Sequence, residues 1–168
     1  MTVEQAIKTA IEYENKVRDH YVTAVARAEH PAGRSLFQLM AEEEQHHVDY
    51  LEYKLKEWHE KGKVTAEGLR TSLPSPQTIE EGVARLEGMG TEPVSGAEID
   101  FLRKAYAWET ETSGFYRKVV SELPAEARPL FARFLEIEEG HLAIVQAQID
   151  HVSGTGYWFD VREFDLEE

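Results

Sequence analysis

The chain of 168 residues contains no cysteine. This absence excludes disulfides, zinc–thiolate sites, iron–sulfur clusters and catalysis by a thiol. Basic residues are also scarce, with 18 Lys and Arg against 32 Asp and Glu and a net charge of -14. Phosphate backbones are bound by basic patches, so we expect no nucleic-acid partner.

Long apolar runs are missing as well, since no run approaches the roughly 18 residues that span a membrane. The N-terminus lacks the basic and apolar regions of a signal peptide. We therefore expect a soluble, cytoplasmic protein with no membrane partner. The length suffices for one domain with a substantial core.

Apolar residues recur at helical spacing in four segments, which predicts four long helices, A to D. Their predicted ranges are 3–29, 34–61, 95–123 and 125–152. Thr2 and Gln5 form a predicted capping box before helix A, as do Ser95 and Glu98 before helix C. The stretch 31–33, Pro-Ala-Gly, is expected to separate helices A and B, and Gly62 to end helix B.

The connections are short, long and short, and the long one runs over residues 63–94 between helices B and C. A capping box at Thr78 and Glu81 predicts a short helix inside it. One long crossover indicates an all-α, ferritin-like four-helix bundle. We expect this bundle to occupy residues 1–152. The tail, 153–168, is rich in aromatic residues and should pack on the bundle or on a partner subunit.

Glutamate and histidine recur in a duplicated frame. Each half has a lone glutamate followed, 30 or 29 residues later, by a Glu-x-x-His step. The first half contributes Glu14, Glu44 and His47, and the second contributes Glu109, Glu138 and His141. All six lie on the apolar stripes that should face the core of a bundle.

Four ionised carboxylates in a core would be prohibitive without compensation. No lysine or arginine lies at these stripe positions to neutralise them. Two divalent cations would balance four negative charges, and two imidazoles would complete the coordination. We therefore predict a two-metal site. The overlapping step Glu43–His46 lies about 100° off the stripe, so both side chains are expected to face outward or towards a helix flank.

Two tyrosines follow the lone glutamates by seven residues, which is two turns along the same face. Tyr21 and Tyr116 need hydrogen-bond partners if they are buried. A ligand carboxylate of a neighbouring helix and ordinary core packing with another partner are both open. The remaining histidines lie off the stripes and are expected at the surface or on a flank: His20, His30, His59 and His151.

The motifs resemble the rubrerythrin-like branch of the ferritin-like superfamily over residues 6–152. The resemblance rests on Ala10-Ile-Glu-Tyr-Glu14 through Tyr21, Phe37-x2-Met40-Ala-Glu-Glu-Glu44-Gln-His-His47, Ala105-Tyr-Ala-Trp-Glu109 through Tyr116, and Phe131-x6-Glu138-x2-His141. It implies a non-haem di-iron centre. Glu14 and Glu109 would be terminal ligands, Glu44 and Glu138 would bridge, and His47 and His141 would each bind one iron.

Two features depart from that family. The four cysteines of a rubredoxin-like iron site are absent, so electrons must come from an external donor such as a separate rubredoxin or a reductase. An additional family glutamate is replaced by Thr112, which leaves a symmetric set of four Glu and two His. This symmetric set is similar to the ferroxidase centre of bacterioferritins.

The resemblance implies an oxidoreductase that reduces hydrogen peroxide or dioxygen. The expected cofactor is two Fe ions, with Mn, a mixed Fe/Mn pair or substituting Zn as alternatives. Three other functions stay open: a ferroxidase or iron-storage protein, a bundle that metals merely stabilise, and an oxygenase of an organic substrate. We expect a homodimer.

Overall fold

Five α-helices, and no β-strand, form in the residues that the computed structural model describes, 1–85 and 93–160. The helices are α1 Val3–Arg27, α2 Pro31–Lys61, α3 Pro76–Arg85, α4 Gly96–Glu122 and α5 Arg128–Thr155. Predicted helices A, B, C and D correspond to α1, α2, α4 and α5, and α3 is the predicted short helix. The all-α class is thus confirmed for the described residues.

Local signals set most helix ends. The Thr2–Gln5 and Ser95–Glu98 capping boxes both form, so α1 and α4 begin where the sequence predicts. Gly62 ends α2 in the left-handed region, with φ 65°. Glycine has no Cβ and adopts this backbone conformation at little cost.

Three helix starts differ from prediction. The stretch 31–33 belongs to α2, because a proline in the first turn needs no N–H partner and the ring of His30 caps Ala32. Ser75, not Thr78, caps α3 and accepts a hydrogen bond from the Thr78 N–H. Helix α5 starts at Arg128 rather than 125 and runs to Thr155.

The helices pack in neighbouring pairs, with α1 against α2, α4 against α5, and α1 also against α4. Helix α3 packs on α5. Tyr21 of α1 contacts Glu109 of α4, and Glu14 of α1 contacts Tyr116 of α4. Positions therefore rise along α1 as they fall along α4, so these two helices are antiparallel.

Two apolar clusters fill the interior, one on each side of a polar layer. The first cluster includes Val17, Phe37, Met40, Leu102 and Val145. The second cluster includes Ile7, Leu51, Tyr116, Phe131 and Phe134. Every long helix passes from one cluster to the other, and the buried residues between the clusters include glutamates and histidines. The core thus places the candidate site at mid-height of the helices.

Part of the aromatic tail packs on the first cluster. Trp158 and Phe159 are 2 % and 3 % exposed and belong to that cluster. Trp158 lies against the first turn of α2, where Gly33 leaves room for its ring. The other apolar tail residues, Phe164 and Leu166, lie outside the described residues.

We expect Gly33→Ala to destabilise the protein by about 1–3 kcal/mol, the usual cost of overpacking. A methyl group on Gly33 would lie 2.6 Å from Cζ2 of Trp158, which forces the indole or the helix to move. Gly114→Ala is the matched control, because its methyl group would meet no described atom within 4 Å. Urea unfolding should show a lower midpoint for Gly33→Ala alone, and equal midpoints for both variants would contradict the packing of Trp158.

Each helix in the described ranges is too short or too polar to cross a lipid bilayer.

Candidate metal centre

The six predicted ligand residues all lie in the polar layer between the two apolar clusters, and each is fully buried. Helices α1 and α4 contribute Glu14 and Glu109, one carboxylate each. Helices α2 and α5 each contribute a Glu-x-x-His step, whose two side chains lie on one helix face because they are nearly one turn apart. The duplicated sequence frame therefore produces a nearly symmetric site.

One half of the site surrounds the imidazole of His47. Its Nδ1 lies 3.2 Å from Oε2 of Glu14 and 3.3 Å from Oε2 of Glu44. Oε1 of Glu138 lies 3.5 Å from the same nitrogen. Three carboxylates of three helices thus converge on one ring nitrogen.

The other half surrounds His141 in the same way. Its Nδ1 lies 2.8 Å from Oε1 of Glu44, 3.6 Å from Oε2 of Glu109 and 3.7 Å from Oε1 of Glu138. Glu44 and Glu138 therefore face both imidazoles, whereas Glu109 faces one. The two rings are parallel, with centroids 5.3 Å apart and an interplanar angle of 5°.

The donor atoms fit a cation. Oxygen and nitrogen atoms of Glu44, His47, Glu138 and His141 lie within 4.8 Å of one another. Within the described part of the chain, both oxygens of Glu44 and of Glu138 lack a hydrogen-bond partner although they are buried. Unsatisfied buried carboxylates are costly. A positive ion between them would remove that cost, and this set of oxygen and imidazole donors suits divalent transition metals.

The pKa shifts of the metal-free site also indicate that the polar layer lacks positive charge. Burial, reinforced by repulsion from Glu109 and Glu14, raises the pKa of Glu44 to about 7. Burial and the charge of Glu14 also raise the pKa of Glu138 well above its ordinary value. Both groups thus favour the protonated form, so protons take the place that cations would occupy.

The two imidazoles and Glu14, in contrast, favour their charged forms. Burial alone would lower the pKa of His47, but attraction to Glu14 and Glu44 raises it to about 9. Burial likewise opposes charge on His141, yet Glu44 and Glu138 raise its pKa well above normal. Burial would raise the pKa of Glu14, but His47 and hydrogen bonds lower it to about 2.

Both tyrosines point at carboxylates of the site. Tyr21 donates a hydrogen bond to Oε1 of Glu109 at 2.5 Å, and Tyr116 donates one to Oε1 of Glu14. Each bond joins α1 to α4. Of the two alternatives that the sequence leaves open, the hydrogen bond to a site carboxylate is the one that forms. Burial and the neighbouring carboxylates raise the pKa of both phenols, so both keep their protons.

Glu43 lies on a flank of α2, which is one of the two placements that the sequence allows, but this flank is covered. Its side chain is 2 % exposed and does not face outward. The physical reason is the chain segment 71–72, which covers this flank of α2 and supplies hydrogen-bond donors from Thr71 and Ser72. Burial would raise the pKa of Glu43, but His141 and Ser72 lower it. His46, the other residue of that step, is exposed as expected.

A small cavity adjoins the His47 half. It has a volume of about 200 Å³ and is lined by His46, His47, Tyr50, Gly68, Leu69 and Arg70. Residues 68–70 belong to the connection between α2 and α3. The cavity therefore lies between α2 and this connection, with His47 in its wall.

No protein-family model and no curated protein matches this chain. The resemblance to rubrerythrin-like proteins thus stays a prediction from the sequence motifs.

Proposed function

We propose that the chain is a ferritin-like oxidoreductase that binds two metal ions in the polar layer and reduces hydrogen peroxide or dioxygen. The observation that carries this proposal is the shared position of Glu44 and Glu138, which face both imidazoles. Glu14 and Glu109 each face one imidazole. Two shared and two unshared carboxylates are the donor arrangement of a two-metal site in a bundle.

The order of the core supports the ferritin-like connectivity. Helix α2 runs from the first apolar cluster to the second, and α4 does the same. The connection between them must therefore return along the bundle. Val64 and Leu69 pack in the second cluster, whereas Leu73 and Ile79 pack in the first. These contacts favour one long crossover between parallel helices.

The ligand assignment follows from the distances. His47 and Glu14 would hold one ion, His141 and Glu109 the other, and Glu44 and Glu138 would serve both. We propose two Fe ions as the native pair. Mn, a mixed Fe/Mn pair or substituting Zn fits the same oxygen and nitrogen donors. When bound, a redox-active pair would supply two electrons, which together with two protons from solvent convert one hydrogen peroxide to two waters.

The protein's own residues would orient the site and exclude water. Phe134 packs edge-on against His47, with centroids 5.3 Å apart. Tyr21 and Tyr116 hold protons on their phenol oxygens and direct them at Glu109 and Glu14. Those hydrogen bonds fix the two unshared carboxylates. The cavity beside His47 is the proposed route for a small oxidant, because it lies against a ligand ring.

Electrons would come from an external donor. The chain has no cysteine and therefore no rubredoxin-like iron site of its own. A separate rubredoxin or a reductase is the proposed class of donor. We also propose that the protein acts as a homodimer.

The test is the reoxidation of the reduced, iron-loaded protein by hydrogen peroxide in stopped flow. We expect reoxidation at least about tenfold faster than that of free Fe²⁺, because the site holds both electrons within reach of one peroxide. Glu139→Ala, which changes an exposed neighbour of Glu138, should behave like the wild type. A rate equal to that of free Fe²⁺ would refute the oxidoreductase proposal.

The symmetric ligand set favours ferroxidase with iron storage as a second candidate. Each imidazole has one carboxylate of its own, and the helix-α4 position after Glu109 on the same face holds Thr112. Native mass spectrometry discriminates between the two functions. A shell of many subunits supports storage, whereas a dimer supports the peroxide-reducing enzyme.

A further inference from the structure

Glu43 is a buried carboxylate to which the proposed function gives no role. Thr71 Oγ1 donates to its Oε2 at 2.7 Å, and the Ser72 N–H donates to its Oε1 at 2.8 Å. The Ser72 hydroxyl donates to Oε1 as well. All three donors belong to the connection between α2 and α3, so Glu43 fastens this connection to α2.

The same carboxylate also faces His141. Its Oε2 lies 3.8 Å from Nε2 of His141, while Nδ1 of that ring lies 2.8 Å from Glu44. An N–H···O hydrogen bond measures about 2.9 Å, so a ring shift of about 1 Å would form one. A neutral imidazole that binds a metal through one nitrogen carries its proton on the other. Glu43 is placed to accept that proton in a hydrogen bond.

In the part of the chain that the structure describes, the other half of the site has no such acceptor. The position that matches Glu43 in the second sequence repeat is Ile137, an apolar residue. Among the described residues, the Nε2 atoms of both rings are buried without a hydrogen bond, but a carboxylate lies within 4 Å only for His141. The near-symmetry of the ligand set therefore ends at the outer nitrogens of the two rings.

We propose that Glu43 is a positioning residue for His141 and makes the His141 half the tighter metal-binding half. This inference rests on the proposed two-metal centre. An acceptor on the outer nitrogen fixes the ring orientation, keeps Nδ1 free of its proton and makes Nδ1 more basic. Such partners typically change metal affinity by about 10–100-fold. His47, which lacks one, binds its ion more weakly.

Glu43→Gln is a suitable variant because it removes the acceptor for His141 and little else. The Ser72 backbone N–H can only donate, so it holds the amide oxygen of the glutamine at the position of Oε1. The amide nitrogen then faces Nε2 of His141, where a donor meets a donor. The Thr71 hydroxyl can accept from the amide instead of donating. The variant thus keeps the attachment of the connection and loses only the acceptor for His141.

The measurement is an anaerobic titration of the metal-free protein with Co²⁺, followed by calorimetry and visible absorption. We expect two binding steps in the wild type. Glu43→Gln should weaken one step by about 10–100-fold and change the other by less than about threefold. Loss of both steps to the same extent, or of neither, would overturn the role of Glu43.

A double-mutant cycle identifies the affected half. In a His47→Ala background, Glu43→Gln should still weaken the remaining Co²⁺ step. In a His141→Ala background it should have no further effect, because the ring that it positions is gone. The reverse pattern would overturn the assignment to His141.

A second control separates positioning from fastening of the connection. The pair Thr71→Val and Ser72→Ala removes two hydroxyl donors but keeps the Glu43 carboxylate. We expect this pair to lower the unfolding temperature and to leave both Co²⁺ steps within about threefold. If it reproduces the step-specific loss of Glu43→Gln, Glu43 acts only through the connection. A wild type that binds no Co²⁺ would refute the metal centre itself.

Discussion

Glu44→Ala is expected to abolish binding of both metal ions. Oε1 of Glu44 lies 2.8 Å from Nδ1 of His141, and Oε2 lies 3.3 Å from Nδ1 of His47. One side chain therefore contributes a donor to each half. Its removal also takes one of four negative charges from the layer, which weakens the attraction for any remaining cation. The measurement is elemental analysis of protein purified anaerobically with Fe²⁺.

We expect about two ions per wild-type chain, as the charge balance of four carboxylates demands, and fewer than about half an ion in the variant. Glu42→Ala is the matched control, because Glu42 is exposed on the same helix and should keep both ions. Glu44→Gln keeps the side-chain volume and separates loss of a ligand from a defect in packing. Full metal content in Glu44→Ala, or none in the wild type, contradicts the two-metal centre.

A single wild-type-like ion in Glu44→Ala would also be informative. It would mean that one half holds its ion through the imidazole and Glu138, so that Glu44 serves only the other half. Because Oε1 of Glu44 lies close to Nδ1 of His141, the His141 half is the one expected to lose its ion in that case. The proposed shared role of Glu44 requires that both ions leave together.

The bundle and the polar layer were predictable because both follow from helical periodicity. Apolar residues recur every three or four positions on each long helix, and the exceptions on those stripes are the glutamates and histidines. A residue on the stripe has to face the core whatever the loops do. For this reason Glu14, Glu44, Glu109 and Glu138 are buried as the periodicity indicates.

Glu43 shows where periodicity stops being sufficient. Its position on α2 predicts a flank, and the flank is covered by Thr71 and Ser72, which lie 28 and 29 residues further along the chain. That connection has no repeating pattern, so its path over α2 depends on tertiary packing. The start of α2 differs for a local reason instead, because the first turn of a helix tolerates Pro31.

The difference between the surroundings of the two imidazoles could not be predicted from helical periodicity either. The sequence repeat aligns His47 with His141 and suggests equal surroundings for both. Two differences in their surroundings distinguish them: a cavity lined by residues 68–70 beside His47, and the carboxylate of Glu43, held by residues 71–72, beside His141. Symmetry in the ligands therefore does not extend to the groups that surround them.

The metal-free protein is expected to lose stability as pH rises from about 5 to 9. Folding raises the pKa of Glu44 from 4.5 to about 7 and that of Glu138 further. The unfolded chain releases these protons at lower pH than the native state, so stability falls as pH rises through that interval. Folding also raises the pKa of His47 from 6.5 to about 9 and that of His141, and this stabilisation is lost over the same rise. Glu14 contributes in the opposite sense, but only below pH 4.5.

Bound metal should reverse this trend, because cations bind the deprotonated ligands and bind more tightly as protons leave. The gap in unfolding temperature between metal-loaded and metal-free protein should therefore widen with pH. The shift of Glu44 alone corresponds to roughly 3 kcal/mol, or about 6–12 °C for a chain of this size. Differential scanning calorimetry at pH 5.5, 7 and 8.5, with and without chelator, measures this gap.

Glu138→Gln is the control that isolates the cause. Both oxygens of Glu138 are buried and, among the described residues, make no hydrogen bond. An amide carries no charge in either state, so this variant should be more stable than the wild type when metal-free at pH 8.5, by about 1–3 kcal/mol, and should bind metal poorly. Glu139→Gln, which makes the same change at an exposed position of α5, should not reproduce the effect. If the metal-free wild type is equally stable at pH 5.5 and 8.5, ionisation of the buried carboxylates does not destabilise the fold, and the argument that the polar layer requires metal fails.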